Sequence, residues 1–558
     1  ILIITLLLAI AIPTFLSRPK VATEPGRVLV WTFENLTGDQ EFEPLGRMAV
    51  DWVNRGLTRS GLVEVVSTVS SLASFRALQP ELQAVSPVSR IRLLADESRA
   101  GTIISGAYYL DKQELRFHAQ ITDVKSTQVR DAFEVAAAPD DPLPALESLQ
   151  QKLVGRIAAD ADMRLTDLAD AMTETPTYGA YREFVEGLDA FSRRQFPMAV
   201  MLFKKSAELD STFLLPLSYA IEALLILQQY HEAEQLVSQL SEHREELSTF
   251  ERFNIDRHRA TLQGNHLAAW RAAVKMTDVA PRDGLVRYMA GVHATYAKKL
   301  NEAKAAFDHV DPERGWMRGW YPYWIFVTAV HHLLGEYELE LTKIRKGVKQ
   351  YPNNRTLLDL EGRALAALGM VKELNEVIEQ SRMLRPDRLG GILGRMGQEL
   401  RLHGYEEAAL NILTRALNWY HERPDSEKQA ESYKEGLALI FIYLHKWQEA
   451  RAIYEELVQR SPDEIEYLGR LGALAAKTGD RLKAEALMTR LQQLDKPFMF
   501  GLHTFWLACI ASELGEPERA VAFLKTAFEQ GYKYGMRLHY EVHLQPLQNY
   551  KPFKMLIR

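Results

Sequence analysis

The chain has 558 residues, of which 47% are hydrophobic and 25% charged, an ordinary balance for a globular protein with more than one domain. Its net charge is -6, and 67 Lys and Arg residues are interspersed with 73 Asp and Glu residues. Because this distribution offers no basic field for DNA or RNA, nucleic-acid binding is not expected. The single cysteine, Cys509, excludes an internal disulfide framework and a thiolate metal cage.

Residues 1–16, ILIITLLLAIAIPTFL, carry no charge. Because a membrane span needs about 20 residues, we interpret residues 1–20 as the later part of a transmembrane helix, with residues 1–16 in contact with the lipid bilayer. A signal-peptide core is the alternative, but the sequence SRPK that follows provides no small-x-small cleavage site. We therefore expect a single-pass membrane protein.

Residues 27–165, which follow a linker at residues 21–26, have the pattern of a small α/β domain. Residues 27–33 are rich in β-branched and aromatic side chains and predict a strand. Residues 45–59 repeat apolar side chains at helical spacing, and Gly61 ends the pattern. Three strands of a meander are expected later in this domain, at residues 102–110, 114–123 and 128–136.

Residues 178–535 repeat with a period close to 34 residues, which is the period of the tetratricopeptide repeat (TPR). A small residue recurs in this rhythm where one helix of a hairpin presses on its neighbour, and Glu340 and Leu374 complete the series with steps of 34–41 residues. We predict a solenoid of about ten helical hairpins with a C-terminal cap at residues 536–558. An irregular α-helical domain with chance spacing is the alternative. The residues assigned to repeat packing are Ala199, Ala233, Ala269, Ala303, Ala409, Ala450, Ala484 and Ala520.

Two repeats depart from this pattern. Glu340 occupies the alanine position of one, and Arg257 stands where another repeat is expected to carry a small residue. Neither side chain fits a close contact between two helices, so these positions are predicted to be looser joints of the solenoid.

The α/β domain resembles a known family at residues 28–39 (VLVWTFENLTGD), 43–49 (EPLGRMA) and 61–66 (GLVEVV). These segments look like the TolB-amino-terminal-like domain, which lies between a transmembrane helix and TPR repeats in bacterial membrane-bound serine/threonine protein kinases. Residues 104–109 and 117–123 fit the same resemblance. It implies a sensory or docking region. The chain itself has no kinase Gly-rich loop, His-Arg-Asp or Asp-Phe-Gly segment, and a kinase domain upstream of residue 1 is an open question.

One cluster of aromatic and basic residues is a candidate partner-binding site. Aromatic rings with arginines are typical of interface hot spots, but the first helices of a solenoid also supply its core, so packing is the alternative reading. An acidic or extended peptide is the partner that these residues would suit. The cluster comprises Arg314, Trp316, Arg318, Trp320, Tyr321, Tyr323 and Trp324.

Metal and catalytic sites are not expected. His331 and His332 are adjacent, and neighbouring residues on a helix point about 100 degrees apart, so they do not converge on one ion unaided. The acids Asp39, Glu41 and Glu43 are explained by a capped helix start, where negative charge is favoured. We therefore assign no catalytic, cofactor-binding or metal-ligating residue.

The sequence as a whole predicts a multidomain, mainly α protein with a single transmembrane helix, a small α/β domain and a TPR solenoid. Two functions are open. The first is a membrane-anchored interaction module that binds a protein or peptide along the solenoid, as the sensory or docking region of a bacterial signalling protein. The second is a structural scaffold subunit of a larger membrane complex, and homo-oligomerisation is also open. We expect the part beyond the membrane to be periplasmic, without enzymatic activity in these residues.

Overall fold

The computed structural model describes residues 23–61, 63–67, 78, 85–161, 178–211, 214–247, 249–279, 284–313, 317 and 319–557. The chain forms two compact units. The first comprises residues 1–229 and 311–320, and the second comprises residues 230–310 and 321–558.

The first unit contains a sheet with the strands β1 (Glu24–Asn35), β2 (Glu64–Val65), β3 (Ala100–Asp111), β4 (Glu114–Asp123) and β5 (Gln128–Ala137). The strand order is β2-β1-β3-β4-β5. β1 runs parallel to β2 and β3, whereas β3, β4 and β5 form an antiparallel meander. The three meander strands lie within two residues of their predicted bounds, because strand alternation and turns are local signals.

Helices cover both faces of this sheet. Val30 and Ile104 point to one face and are buried with α1 (Glu43–Ser60) and α3 (Leu143–Ala161). Leu29 and Ile103 point to the other face and are buried with α2 (Pro87–Ser98). Because successive side chains of a strand alternate between faces, two adjacent apolar residues per strand supply both layers of the core.

Helical hairpins follow the α/β domain in the first unit. Arg47 on α1 forms an ion pair of 3.2 Å with Asp189 on the first of these helices. The domain is thus joined to the start of the repeats by a contact between side chains as well as by the chain. The helices are α4 (Tyr178–Ser192), α5 (Phe196–Leu209) and α6 (Leu215–Ile226).

The described part of the second unit is helical. Short 3-10 helices occur at Arg244–Glu246, Pro386–Arg388 and Val542–Leu547. The α-helices are α7 (Tyr230–Glu242), α8 (Thr249–Leu262), α9 (His266–Val279), α10 (Gly284–Tyr296), α11 (Leu300–Asp308), α12 (Pro322–Leu333), α13 (Tyr337–Gln350), α14 (Arg355–Ala367), α15 (Val371–Leu384), α16 (Leu389–Leu402), α17 (Glu406–His421), α18 (Asp425–Lys428), α19 (Glu431–Tyr443), α20 (Trp447–Arg460), α21 (Ile465–Lys477), α22 (Arg481–Gln493), α23 (Leu502–Glu513), α24 (Pro517–Glu529), α25 (Arg537–Tyr540) and α26 (Lys551–Ile557).

A left-handed backbone residue marks the turn of every hairpin. In each repeat this residue lies five positions before the predicted packing position, so the turns recur with the same steps as the alanines. We call the helix before the turn the first helix of the hairpin and the helix after it the second. The turn residues, all with φ between +58° and +84°, are Arg194, Gln228, Gly264, Lys298, Gly335, Gly369, Gly404, His445, Gly479 and Gly515.

The packing positions have no exposed surface. All eight alanines are 0% exposed, and so are Glu340 and Leu374. Close approach also requires small residues on first helices. At Gly469 an added Cβ would overlap the Trp506 ring of the next first helix. These observations show a TPR-type stack of hairpins in the described chain.

The structure contradicts the predicted transmembrane helix and the single-pass membrane location drawn from it. None of the helices described here combines the length and the apolar composition that a bilayer span requires. The longest, α3, has 19 residues and includes Glu147, Lys152 and Arg156, and charges are costly in hydrocarbon. The predicted lipid contact at residues 1–16 lies outside the described residues. The fold class is therefore a mainly helical TPR-like protein with a small sheet.

Overpacking of the repeat contacts provides a test of the register. Ala450→Phe and Ala484→Phe are each expected to lower the free energy of unfolding by about 1–3 kcal/mol, because a ring cannot be placed between two packed helices without moving them. Ala452 and Ala486 lie on the same second helices and are exposed. Phenylalanine at those two positions should leave the melting temperature nearly unchanged. Equal effects at buried and exposed alanines would show that the register is wrong.

Candidate functional site

The C-terminal segment, residues 531–550, lies against several repeats of the second unit. Near its start, the carbonyl oxygen of Gly531 is 2.8 Å from Nε2 of His266, and the Tyr534 amide donates a hydrogen bond of 3.4 Å to the carbonyl of Tyr296. Near its end, Nδ1 of His543 lies 2.9 Å from a carboxylate oxygen of Glu513. The segment therefore connects hairpins that are far apart in the sequence.

Arg537 anchors the middle of this segment. Its guanidinium donates two hydrogen bonds, of 2.5 and 2.6 Å, to the carboxylate of Glu466 on α21. It also lies over the rings of Phe505 and Trp506 on α23, 5.0 and 5.1 Å from their centroids. Burial alone would raise the pKa of Glu466, but the hydrogen bonds and charge of Arg537 outweigh burial and lower that pKa. The pair is thus ionised while largely removed from water.

Four side chains meet where the segment passes α12 and α16, and we call them the histidine cluster: His332, Glu399, His403 and His539. Oε1 of Glu399 lies 3.1 Å from Nε2 of His332, 2.9 Å from Nε2 of His403 and 3.3 Å from Nε2 of His539. The Nε2 atoms of His332 and His539 are 3.2 Å apart. His332 and Glu399 are buried, and the other two side chains are partly buried.

Glu340 and Arg363 contact the histidine cluster through the second ring nitrogen of His332. Nδ1 of His332 lies 2.7 Å from Oε2 of Glu340, and Arg363 donates hydrogen bonds of 2.9 and 2.5 Å to Oε1 of the same carboxylate. Burial would lower the pKa of His332, but its hydrogen bonds to Glu340 and Glu399 outweigh burial and raise that pKa. The residue that breaks the alanine series therefore orients a buried imidazole. The repeat contact at Glu340, which the sequence predicts to be looser, is occupied by hydrogen-bonded side chains.

Arg257, the other unusual packing residue, is also enclosed. It is 2% exposed and donates two hydrogen bonds to Oδ1 of Asn254, while its guanidinium lies 3.1 Å from Nε2 of His293 and 3.2 Å from Nε2 of His258. Burial and the Arg257 charge hold the pKa values of both histidines well below the usual range. Neutral imidazoles at this position accept hydrogen bonds from the arginine.

The predicted aromatic cluster is divided between core positions and undescribed residues. Arg314, Trp316 and Arg318 lie outside the described residues. In the first unit, Trp320 is 8% exposed and its ring stacks on Phe191 with centroids 6.2 Å apart.

The other described members of this aromatic cluster belong to the second unit. Tyr323 and Trp324 are 3% and 4% exposed, and Tyr321 is half-buried. The Trp324 ring lies where a Cβ on Gly347 would be placed. Burial of these rings favours the packing alternative for them.

The other sequence-derived candidates form local contacts. Nδ1 of His331 lies 2.6 Å from Glu336, whereas His332 points into the histidine cluster, so the two neighbours diverge as helical geometry requires. The side chain of Asp39 accepts a hydrogen bond of 2.9 Å from the Glu41 amide and caps the 3-10 helix Gln40–Phe42.

Sequence reasoning did not connect the four members of the histidine cluster. His539 is 207 residues from His332 and 140 residues from Glu399, so the site cannot be predicted from local residue spacing. The available signals were the i,i+4 pair of Glu399 on α16 and His403 just after it, and the acidic residue at packing position 340.

No family model matches the chain. A stretch of 79 residues is 33% identical to the cellulose synthase 2 operon protein C of Komagataeibacter xylinus and covers 14% of this chain and 6% of that protein. The chain thus matches only a small part of this relative's length.

Three solved structures of helical repeat proteins are similar at low identity. A tetratricopeptide repeat protein from Parabacteroides merdae ATCC 43184 is 14% identical, with 54% of this chain and 99% of that chain covered and a TM-score of 0.28. YrrB, a TPR protein with an unusual peptide-binding site, is 15% identical over 40% of this chain and 93% of its own, with a TM-score of 0.25.

The Cut9–Hcn1 hetero-tetramer of APC/C is 13% identical over 68% of this chain and 84% of its own, with a TM-score of 0.26. At these scores the similarity carries no argument of its own. The repeat assignment depends on the periodic turns and the buried packing positions of this chain.

Truncation of Trp324 distinguishes a core ring from a binding ring. Trp324→Ala is expected to lower the free energy of unfolding by about 3–5 kcal/mol, the usual range for loss of a buried tryptophan. Trp270 is half-buried on α9, and Trp270→Ala should cost clearly less in the same denaturant titration. A Trp324→Ala variant with the stability of the unmodified chain would contradict the core position and favour partner binding.

Proposed function

We propose that this chain is a protein-interaction module whose TPR repeats bind a polypeptide along their first helices. The proposal depends on how the C-terminal segment is bound. First helices of the second unit contact this segment through Glu466, Phe505 and Glu399. A surface that binds one segment of its own chain has the pattern of charged and aromatic groups needed for another polypeptide. Stacked hairpins supply such surfaces and bring no chemistry of their own.

The exposed charges of these first helices favour an acidic partner segment. Among the described first-helix residues of the second unit, Arg355, Arg395 and Lys477 are exposed basic residues and Glu431 is an exposed acidic one. Of the described residues directly before these helices, Arg388 before α16 and Glu464 before α21 are also exposed, so basic residues outnumber acidic ones by four to two. An excess of arginine favours carboxylate-bearing peptides because the guanidinium binds a carboxylate through two parallel hydrogen bonds.

We further propose that the chain is the docking region of a bacterial signalling protein. This narrower proposal depends on the resemblance of residues 28–39, 43–49 and 61–66 to the TolB-amino-terminal-like domain. The five-stranded α/β domain that contains these residues, followed by TPR hairpins, supports it. The α/β domain then contributes a second surface for partners or ligands. A scaffold subunit of a larger complex is the alternative and would be expected to purify as an assembly of fixed stoichiometry.

A charge-reversal experiment tests the proposed binding surface. The partner is first identified by crosslinking in the native cell and then purified. In isothermal titration calorimetry, the double variant Arg355→Glu with Arg388→Glu is expected to weaken binding by about tenfold or more and to reduce its salt dependence, because charges at an interface steer and retain an oppositely charged segment.

The matched control is the double variant Arg382→Glu with Arg490→Glu. These arginines lie on the second helices α15 and α22, and their side chains are 56% and 41% exposed. The control changes net charge by the same amount and should leave affinity nearly unchanged. Equal losses in both double variants, or no loss in either, would rule out the first helices as the binding surface.

A further inference from the structure

We propose that the histidine cluster is a binding site for one divalent transition-metal ion, with zinc as the best fit. Its donor atoms are the Nε2 atoms of His332, His403 and His539 and one carboxylate oxygen of Glu399, all within 4.8 Å of one another. Three imidazoles and a carboxylate form a donor set that suits zinc, whereas calcium and magnesium prefer oxygen ligands throughout.

Four of the six separations between donor atoms are close to those of a tetrahedral site. Zinc lies about 2.0–2.2 Å from nitrogen and oxygen ligands, so the ligands of a tetrahedral ion are roughly 3.3–3.6 Å apart. The Glu399 oxygen lies 3.1, 2.9 and 3.3 Å from the three nitrogens, and two of these nitrogens are 3.2 Å apart. The other two separations, from Nε2 of His403 to the remaining nitrogens, are within 4.8 Å. An ion at the centre thus requires the Glu399 oxygen to move away from the nitrogens.

Hydrogen bonds alone do not satisfy this arrangement. One carboxylate oxygen has two lone pairs, but the Nε2 atoms of all three histidines face Oε1 of Glu399. In the tautomer that donates its Nδ1–H to Glu340, neutral His332 directs the lone pair of Nε2 at Oε1 of Glu399, 3.1 Å away, where neither atom can donate. A metal ion removes this conflict because each imidazole then presents a lone pair instead of a proton.

The surroundings of His332 resemble those of a metal ligand. A ligating histidine commonly donates its second ring N–H to a carboxylate, which fixes the tautomer and the ring orientation. Nδ1 of His332 meets Glu340 at 2.7 Å, and Arg363 fixes that carboxylate in turn. This arrangement explains why a glutamate occupies a fully buried packing position that otherwise takes a small residue.

The ion would have a structural role. His332 belongs to α12, Glu399 and His403 belong to α16 and the turn after it, and His539 belongs to the C-terminal segment. Four protein ligands complete a tetrahedral zinc site and leave no position open for substrate. Metal binding would therefore join the C-terminal segment to two separate repeats.

Metal titration of the whole chain tests the site. The protein is dialysed against a chelator, and zinc binding is then measured by calorimetry and by elemental analysis of the purified complex. One zinc ion per chain is expected, and cobalt(II) in its place should give the strong visible absorption of a tetrahedral nitrogen and oxygen site. Failure to bind either ion in a fixed ratio would overturn the proposal.

Variants identify the ligands. His403→Gln and His539→Gln are each expected to reduce zinc affinity by at least about a hundredfold, and Glu340→Gln by about 10–100-fold through loss of the supporting carboxylate. His421 is exposed at the end of α17, and His421→Gln is the matched control. Zinc affinity that responds to His421→Gln and ignores the other three would show surface binding and overturn the proposal.

Folding of each variant is checked by circular dichroism before titration. If His539→Gln does not fold, the partly buried ligand His403 and the cobalt spectrum of the unmodified chain still decide the question. Limited proteolysis adds an independent measurement. Removal of zinc should increase cleavage within residues 531–550, and cleavage that does not depend on zinc would contradict a metal-held segment.

Discussion

The fold depends on a close contact between two helices that is repeated along the chain. In each hairpin the packing residue lies five positions after the turn residue, so the position of the left-handed turn determines which residue enters the helix contact. Six of the ten turns use glycine, which adopts positive φ without a steric cost. The other four, Arg194, Gln228, Lys298 and His445, accept a strain of about 1–2 kcal/mol each, and the surrounding helix contacts must offset it.

Two repeats enclose a charged residue in the helix contacts, Glu340 at the packing position and Arg257 on a first helix. Glu340 and Arg257 are both enclosed, and each is matched by several hydrogen-bond partners. Burial of a charge costs free energy that its partners only partly return, so these networks are not an efficient way to stabilise a helix contact. These networks instead fix the orientation of neighbouring side chains, because an immobilised carboxylate or guanidinium orients the imidazoles beside it. The Glu340 network leads to the histidine cluster, and this connection gives the departure from the repeat pattern a functional explanation.

The repeat and the meander could be predicted from the sequence because both produce short-range patterns. A period near 34 residues and alternation along a strand can be read without knowledge of distant contacts. The histidine cluster could not be found in this way, since His539 comes from a segment 207 residues beyond His332.

The aromatic residues around position 320 were ambiguous for another reason. Tryptophan and tyrosine are equally suitable for a core and for an interface, and only burial separates the two. The membrane prediction depended on apolar composition alone in residues 1–16, and no described helix supports a membrane-spanning fold.

The C-terminal segment changes how the second unit is expected to lose its structure. A linear repeat array is held by nearest-neighbour contacts, so hairpins at its ends can open one by one. Here the C-terminal segment contacts three separate hairpins: Gly531 contacts His266, His539 contacts His332, and Arg537 binds Glu466. The first two contacts close loops of more than two hundred residues and the third closes a loop of 71 residues, so an early hairpin cannot open without losing its contact with the segment that also holds the later ones. The unit should consequently unfold in one cooperative step, and it completes its folding only after residues 531–550 have been synthesised.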